Sequence, residues 1–281
     1  MQNPPLYKIN LFIRTYLLMF GNILKPSSWM PFMSLAIFQL LGILILTWFS
    51  LPGWKSSVKP FLTMILPHEG FHFPYYLLTI PRLFADYDNY ILGPTAWVIF
   101  SAVGVFVLGN LYAGERIHLR EGFRRAFKSY FKLLVVWLIE LILVYAIMKI
   151  IAILFIDATY GSPRLTLGIN IALQLAAFLP SALLIYAIPA IILDKKSLFQ
   201  ALADSVSLCG HNLFLSYFII FTPGIARLVF DILINNFGPR IVFTMNADLI
   251  IVLMVAKVLV GIFVNLFILG GATYVYRAMR G

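Results

Sequence analysis

The segment HEGFH at residues 68–72 is the pattern in this sequence with the most specific chemistry. On a helix, His68 and His72 stand one turn apart on the same face and can bind Zn²⁺, while Glu69 can act as the general base toward a zinc-bound water. A catalytic zinc also needs a third protein ligand, for which Asp86 and Asp88 lie downstream. The motif therefore predicts a zinc metalloprotease as one candidate function.

The residues in and after the motif disfavour a catalytic helix. Gly70 is a poor helix former, and Pro74 lacks a backbone amide proton. The apolar stretches also lack the paired aspartates expected of intramembrane zinc proteases. We therefore expect residues 68–72 to form a polar surface turn and the chain to carry no cofactor, with structural or adventitious metal binding as the alternative.

Five ionisable residues fall within long apolar stretches, where a charge is costly and marks a candidate functional site. Lys149, Arg227 and Lys257 lie on three different stretches, each at a depth of roughly 10–14 Å from one end. This shared depth predicts a basic pocket for an anionic lipid headgroup. Glu140 lies near the middle of its stretch, and Asp231 follows Arg227 by one helical turn. Internal pairing, with the cations extending to the interface, is therefore the alternative.

The composition requires a lipid environment around these residues. Hydrophobic residues make up 62% of the 281 residues and charged residues only 11%, compared with about a quarter charged in soluble proteins. Uncharged runs of roughly 20 residues predict transmembrane helices. We predict an all-α polytopic membrane protein that forms a single transmembrane domain over 1–281. Its six spans are predicted at about 30–51, 92–113, 132–156, 168–193, 212–234 and 248–275, with an outer-surface connection over 52–91 and a loop over 235–239.

Three amphipathic segments precede the three pairs of spans: residues 8–21, 116–132 and 195–211. Each has apolar residues at helical spacing, which is typical of helices that lie in the membrane interface. The middle segment is the most basic, and its six cations are expected to face anionic headgroups: Arg116, Arg120, Arg124, Arg125, Lys128 and Lys132. The pattern predicts a helical-hairpin unit used three times, although short inner loops of any such protein can look amphipathic.

The distribution of Lys and Arg predicts the topology. With the N-terminus inside, the inner segments hold thirteen basic residues and the outer segments hold five. This asymmetry follows the positive-inside rule and places both termini in the cytoplasm.

Residues 186–213 resemble a bacterial group of six-span proteins, namely the membrane domain of glycerophosphodiester phosphodiesterases and the related YciC-like membrane proteins. The resemblance rests on a proline near a span end, a charged turn and a helix of the form Ala-Leu-x-x-Ser. The matching residues are Pro189, Asp194, Lys195, Ala201, Leu202 and Ser205. Residues 123–127 are similar to the middle repeat of that group, so the resemblance covers spans three to six. It implies the six-span fold, a membrane-support role and a bacterial inner membrane, and without a soluble phosphodiesterase domain it implies no catalytic activity.

These observations favour a protein without enzymatic activity of its own. The sequence contains no Walker loop, GxSxG motif or dinucleotide fingerprint, which argues against an ATPase, a hydrolase or a dinucleotide-dependent enzyme. We expect a membrane subunit or scaffold of a lipid-, envelope- or transport-related complex, with anionic lipids and other protein subunits as partners. The net charge of +10 is dispersed among the spans, so nucleic acid is not expected. The alternatives are the zinc protease and a secondary transporter or lipid-handling permease, which a helix break at Pro223-Gly224 would suit.

Overall fold

The computed structural model describes residues 5–48, 75–155 and 163–280. Within these ranges the chain is helical, without strands, and six helices are long and apolar enough to cross a membrane. The predicted all-α polytopic fold is therefore confirmed. The helices are α1 (Pro5–Ile23), α2 (Pro26–Trp48), α3 (Tyr75–Tyr87), a π-helical segment (Asp88–Trp97), α4 (Val98–Ala113), α5 (Leu119–Lys128), α6 (Tyr130–Leu154), α7 (Pro163–Leu184), α8 (Ala187–Ile192), α9 (Leu198–His211), α10 (Leu213–Thr244) and α11 (Leu249–Ala278).

The second span differs most from the sequence prediction. Residues 75–91 were expected in an outer connection, but α3, the π-helical segment and α4 form one continuous apolar run of 39 residues. Pro94 lies inside the π-helical segment, where its missing amide proton interrupts the regular α-helical bonding. The hydroxyl of Tyr130 on the next span donates a 2.9 Å hydrogen bond to the carbonyl of Pro94, which ties this segment to α6.

The fourth span contains a break close to Pro189. Helix α7 ends at Leu184 and α8 starts at Ala187. Pro189, in the first turn of α8, has no amide proton to donate to the preceding turn. Ser205 on α9 fills the gap: its hydroxyl donates to the carbonyl of Leu183 at 2.7 Å and accepts from the amide of Tyr186 at 3.2 Å. The interfacial helix thus satisfies backbone groups that the broken span leaves open.

The fifth span is longer than predicted. Helix α10 continues through Pro223 and Pro239 to Thr244, so the expected break at Pro223-Gly224 and the loop over 235–239 are both wrong. Gly224 serves close packing instead. A Cβ atom at this position would lie 2.8 Å from Cζ of Phe178 on α7, which is closer than side chains pack.

The amphipathic helices α1, α5 and α9 each precede a pair of spans, in the predicted order, and they gather at one end of the bundle. Asn22 at the end of α1 donates a 3.1 Å hydrogen bond to the hydroxyl of Tyr112 at the end of α4. Helix α5 buries Gly122 and Ala126 and places the Arg125 guanidinium 4.8 Å from the ring centre of Phe106 on α4. We call this end of the molecule the amphipathic end.

A charged cluster holds α8, α9 and α11 together at the amphipathic end. Arg280 forms ion pairs with Asp194 and with Asp204, the latter at 2.5 Å. The hydroxyl of Tyr276 donates to Asp194 at 2.6 Å, and Lys196 pairs with Asp204. The end of the last span is therefore fixed to the turn between α8 and α9.

Helix α4 lies at the centre of the bundle. Its buried residues run without interruption from Ser101 to Asn110, so every face of it is covered by protein. Helix α6 is the opposite case: only 6% of its most apolar stretch is buried, and its remaining apolar side chains are available to lipid.

Candidate functional site

The bundle contains a partly open cavity of about 470 Å³, which is within the range of small-molecule binding sites. Its wall is mainly apolar, with side chains from α2, the π-helical segment, α6, α7, α10 and α11. Nine polar or charged residues also line it: Gln39, Asp88, Asn89, Glu140, Gln174, Ser181, Arg227, Asp231 and Asn265. Polar side chains are costly inside a bilayer, so their convergence on one cavity marks it as the candidate functional site.

One side of the cavity contains a polar chain across three elements. Arg227 on α10 pairs with Asp88 of the π-helical segment at 3.5 Å. The other carboxylate oxygen of Asp88 accepts a 2.8 Å hydrogen bond from the side-chain amide of Gln39 on α2. The predicted role of Asp88 as a third zinc ligand would compete with these two contacts.

A second ion pair lies one helical turn further along α10. Asp231 lines the cavity and pairs with Lys257 of α11. About four fifths of the Lys257 side chain is covered by protein, as is about three quarters of Asp231. The predicted internal pairing of charges thus occurs here, with Lys257 rather than Arg227 as the partner of Asp231.

Glu140 lies deeper, ten residues into α6, which is about 15 Å along the helix and close to the middle of a bilayer. Its carboxylate accepts a 2.5 Å hydrogen bond from the hydroxyl of Ser181 on α7. Among the described residues it forms no ion pair. Its side chain is enclosed by the bundle yet remains partly accessible from the cavity.

Three large aromatic side chains line the same cavity as Glu140: Trp97, Trp137 and Phe178. Two glycines let these rings lie close to neighbouring helices. Besides Gly224 beneath Phe178, Gly93 would place a Cβ atom 2.7 Å from Cζ2 of Trp137. The cavity therefore combines aromatic side chains with a carboxylate.

The structure does not bring the three predicted anion-binding cations together. Lys149 is exposed on α6 and does not line the cavity, whereas Arg227 and Lys257 are already paired with Asp88 and Asp231. A basic pocket made by all three is therefore not formed. Binding of an anionic headgroup by any one of them stays a prediction.

The basic interfacial segment is helical from Leu119 to Lys128, and Ser129 separates it from α6. Arg125 and Lys132 are partly covered by protein contacts, with Lys132 donating to the carbonyl of Lys196 at 3.2 Å. The hydrogen bond from Arg125 lowers the pKa of Glu121. The other four cations are exposed, as a headgroup-facing surface requires: Arg116, Arg120, Arg124 and Lys128.

The HEGFH motif lies outside the described residues, so His68, Glu69 and His72 have no structural account and the metalloprotease stays a prediction from sequence. In the described part of the chain, no group of three or more His, Cys, Asp or Glu side chains is arranged to hold a metal ion.

Sequence reasoning found Glu140, Arg227 and Asp231 but missed the uncharged polar residues of the same cavity. Gln39, Gln174 and Asn265 each interrupt a long apolar stretch, and side-chain amides there are a weaker form of the signal that singles out buried charges. Counting every strongly polar residue within the spans would have identified them.

The chain matches no protein-family model, no curated protein and no solved structure. The resemblance to the membrane domain of glycerophosphodiester phosphodiesterases therefore stays a prediction, and function has to be argued from the cavity itself.

Proposed function

We propose that this protein binds a small molecule in its intramembrane cavity and acts as a secondary transporter or permease. The observation that carries this proposal is the convergence of nine polar side chains from six helical elements on one cavity. A scaffold needs only complementary outer surfaces and gains nothing from charges placed in the middle of the bundle. A transporter needs a polar site near the bilayer midplane, where a ligand can be held between the two membrane faces.

The cost of the buried groups supports a functional role for them. An ionisable side chain at the bilayer centre costs roughly 3 kcal/mol or more, and replacing paired charges with apolar residues often stabilises a protein. Glu140 has a hydroxyl partner, and within the described residues no cation offsets its charge. Its position is therefore better explained by ligand binding than by stability.

Cysteine accessibility tests whether the cavity serves a ligand. The chain has one native cysteine, Cys209, so a Cys209→Ala background allows single cysteines to be placed at will. Ser181→Cys probes the cavity and Ile142→Cys probes the exposed surface of α6. A membrane-impermeant thiosulfonate carrying a trimethylammonium group is applied to either face of proteoliposomes.

We expect the reagent to modify Ser181→Cys from at least one face, and from both faces if the cavity alternates its opening, while Ile142→Cys in lipid stays unmodified. Equal protection of both cysteines from both faces would contradict the proposal. Labelling of both at the same rate would show disorder of the bundle instead.

A second candidate function is the membrane subunit expected from the sequence, and the surface of α5 favours it. Next to its exposed cations, this region exposes Phe127 at 61% and Phe131 at 79%, which suits insertion into an interface or contact with an acidic partner. Purification in mild detergent tests it. A stable co-purifying protein that is lost in an Arg120→Ala/Arg124→Ala/Lys128→Ala variant would support this candidate, and co-purifying anionic lipid alone would not.

A further inference from the structure

The charges around the cavity do not balance. Asp88 is paired with Arg227 across 3.5 Å, and Asp231 is paired with Lys257. Each pair is neutral. Of the described residues on the cavity wall, Glu140 is the remaining ionisable one, so their ionised forms carry one net negative charge.

We infer that the cavity recognises a monovalent organic cation, whose charged group lies at the Glu140 carboxylate and whose apolar body contacts Trp97, Trp137 and Phe178. This inference rests on the proposed function and adds the substrate class to it. The geometry that carries it is one cavity lined both by a carboxylate without an ion pair among the described residues and by three aromatic side chains.

The physical chemistry of the wall favours a cation over other ligands. A carboxylate in a low-dielectric site attracts a positive charge much more strongly than it would in water. Tryptophan faces add attraction, because their quadrupoles stabilise a cation within about 6 Å of the ring centre. A ligand with an apolar body also replaces water against the largely apolar wall, which a bare inorganic ion does not.

An anionic ligand is the less favourable occupant. Its natural partners would be Arg227 and Lys257, and each would first have to give up an aspartate. It would also meet the charge of Glu140. Recognition of an anion therefore costs two existing ion pairs, whereas recognition of a cation costs none.

Protons are expected to compete with the cation for Glu140, since a protonated carboxyl keeps its hydrogen bond to Ser181 but loses its charge. The other ionisable groups facing this region are Asp88, Arg227, Asp231 and Lys257. They are held as neutral pairs, so Glu140 is the group at which proton and ligand exclude one another.

The test uses the purified full-length protein and tetraphenylphosphonium, a permanent organic cation with aromatic groups. Equilibrium dialysis at several pH values measures its binding. We expect saturable binding that weakens as the pH falls and that decreases at least about tenfold in Glu140→Gln, the loss of one charge–charge contact of about 1.4 kcal/mol. Asp248→Asn removes one negative charge at an exposed position outside the cavity, and we expect it to bind like the unmodified protein.

Three further measurements separate recognition of charge from the effects of ligand size and hydrophobicity. Tetraphenylborate has the same shape and the opposite charge, so it should show no saturable binding. Benzyltrimethylammonium is smaller and should bind if tetraphenylphosphonium is too bulky for 470 Å³. Glu140→Asp keeps the charge and should retain part of the affinity, and equal thermal unfolding of Glu140→Gln and the unmodified protein shows that the loss in Glu140→Gln is not misfolding.

The inference is overturned if neither cation binds saturably, if tetraphenylborate binds as well as tetraphenylphosphonium, or if Glu140→Gln binds like the unmodified protein. Failure of the cation inference and failure of the proposed function give different results. A cavity that is labelled at Ser181→Cys but binds no organic cation leaves the transporter proposal standing and rejects only the substrate class.

Discussion

Lys257 on α11 donates a hydrogen bond to the carboxylate of Asp231 on α10, which makes an ion pair between the last two spans. Both side chains are mostly covered by protein, with 19% and 24% of their surfaces exposed. The pair lies toward the end of the bundle opposite the amphipathic end. Its partners depend on one another, since removing either leaves the other charged and enclosed.

Lys257→Met is therefore expected to destabilise the protein by about 3 kcal/mol, because Asp231 loses its counter-charge. The double variant Lys257→Met/Asp231→Leu should recover most of the loss. Unfolding in detergent by heat or denaturant measures both. Lys149→Met is the matched control, because Lys149 is exposed and forms no ion pair among the described residues, and its effect should stay within about 0.5 kcal/mol. A loss in the double variant that equals the sum of the losses in Lys257→Met and in Asp231→Leu alone would refute the coupling.

Gly224 and Gly261 predict opposite responses to the same substitution. A Cβ atom at Gly224 would lie 2.8 Å from Phe178, whereas nothing lies within 4 Å of one at Gly261. Gly261→Ala should raise stability by roughly 0.5–1 kcal/mol, since alanine is the better helix former. Gly224→Ala should lower it by about 1 kcal/mol through the displaced ring. Thermal unfolding of the two variants side by side gives the comparison, and a shift of the same sign in both would contradict the packing described here.

Arg280 joins α11 to the turn between α8 and α9, and Arg277 one turn earlier has no ion pair in the described part of the chain. About a third of the Arg280 side chain is exposed, so solvent screens its pairs. We expect Arg280→Ala to cost about 1 kcal/mol of stability at low salt and less in 1 M NaCl, where the Debye length is about 3 Å. Arg277→Ala should show little change at either salt concentration. The Arg280 guanidinium also lies 4.8 Å from the ring centre of Tyr276, so a loss that is independent of salt would point to this packing instead of the ion pairs.

We expect the thiol of Cys209 to react slowly with modifying reagents. The residue is fully buried on the packed face of α9, and burial raises the pKa of the Cys209 thiol above its ordinary value. Since the thiolate is the reactive form, a hydrophilic maleimide should modify the folded protein slowly at neutral pH and somewhat faster as the pH rises. Complete modification is expected within minutes in SDS. Intact mass measures the extent, and rapid labelling of the folded protein would show that α9 is not packed as described.

The sequence predicted what depends on local composition. Six apolar runs, three amphipathic helices and the charges of Glu140 and Asp231 can each be identified within a short window. Contacts between distant segments could not be identified in this way. Ser205 resembles part of a family motif in the sequence, but its role becomes visible only where its hydroxyl bonds to Leu183, 22 residues away.

The errors have one physical cause. Prolines near Asp88 and before Gly224 suggested a loop and a helix break, because proline removes a backbone donor wherever it occurs. In the structure the chain stays helical past Pro94, Pro223 and Pro239. Neighbouring helices contact these regions, as in the hydrogen bond from Tyr130 to the carbonyl of Pro94 and the close approach of Phe178 to Gly224. The sequence shows the missing donor but not these contacts. Asp88 was assigned to a surface loop for this reason, although it is part of the cavity wall.

The complete enclosure of α4 bears on how this protein can change over evolution. Two thirds of the most apolar stretch in the span containing α4 is buried, compared with 6% for α6. Lipid accepts almost any apolar side chain, whereas a protein neighbour accepts only one that fits. Related sequences should therefore vary freely along α6 but conserve the size of each side chain along α4. Helix α4 is then the segment by which distant relatives can be recognised.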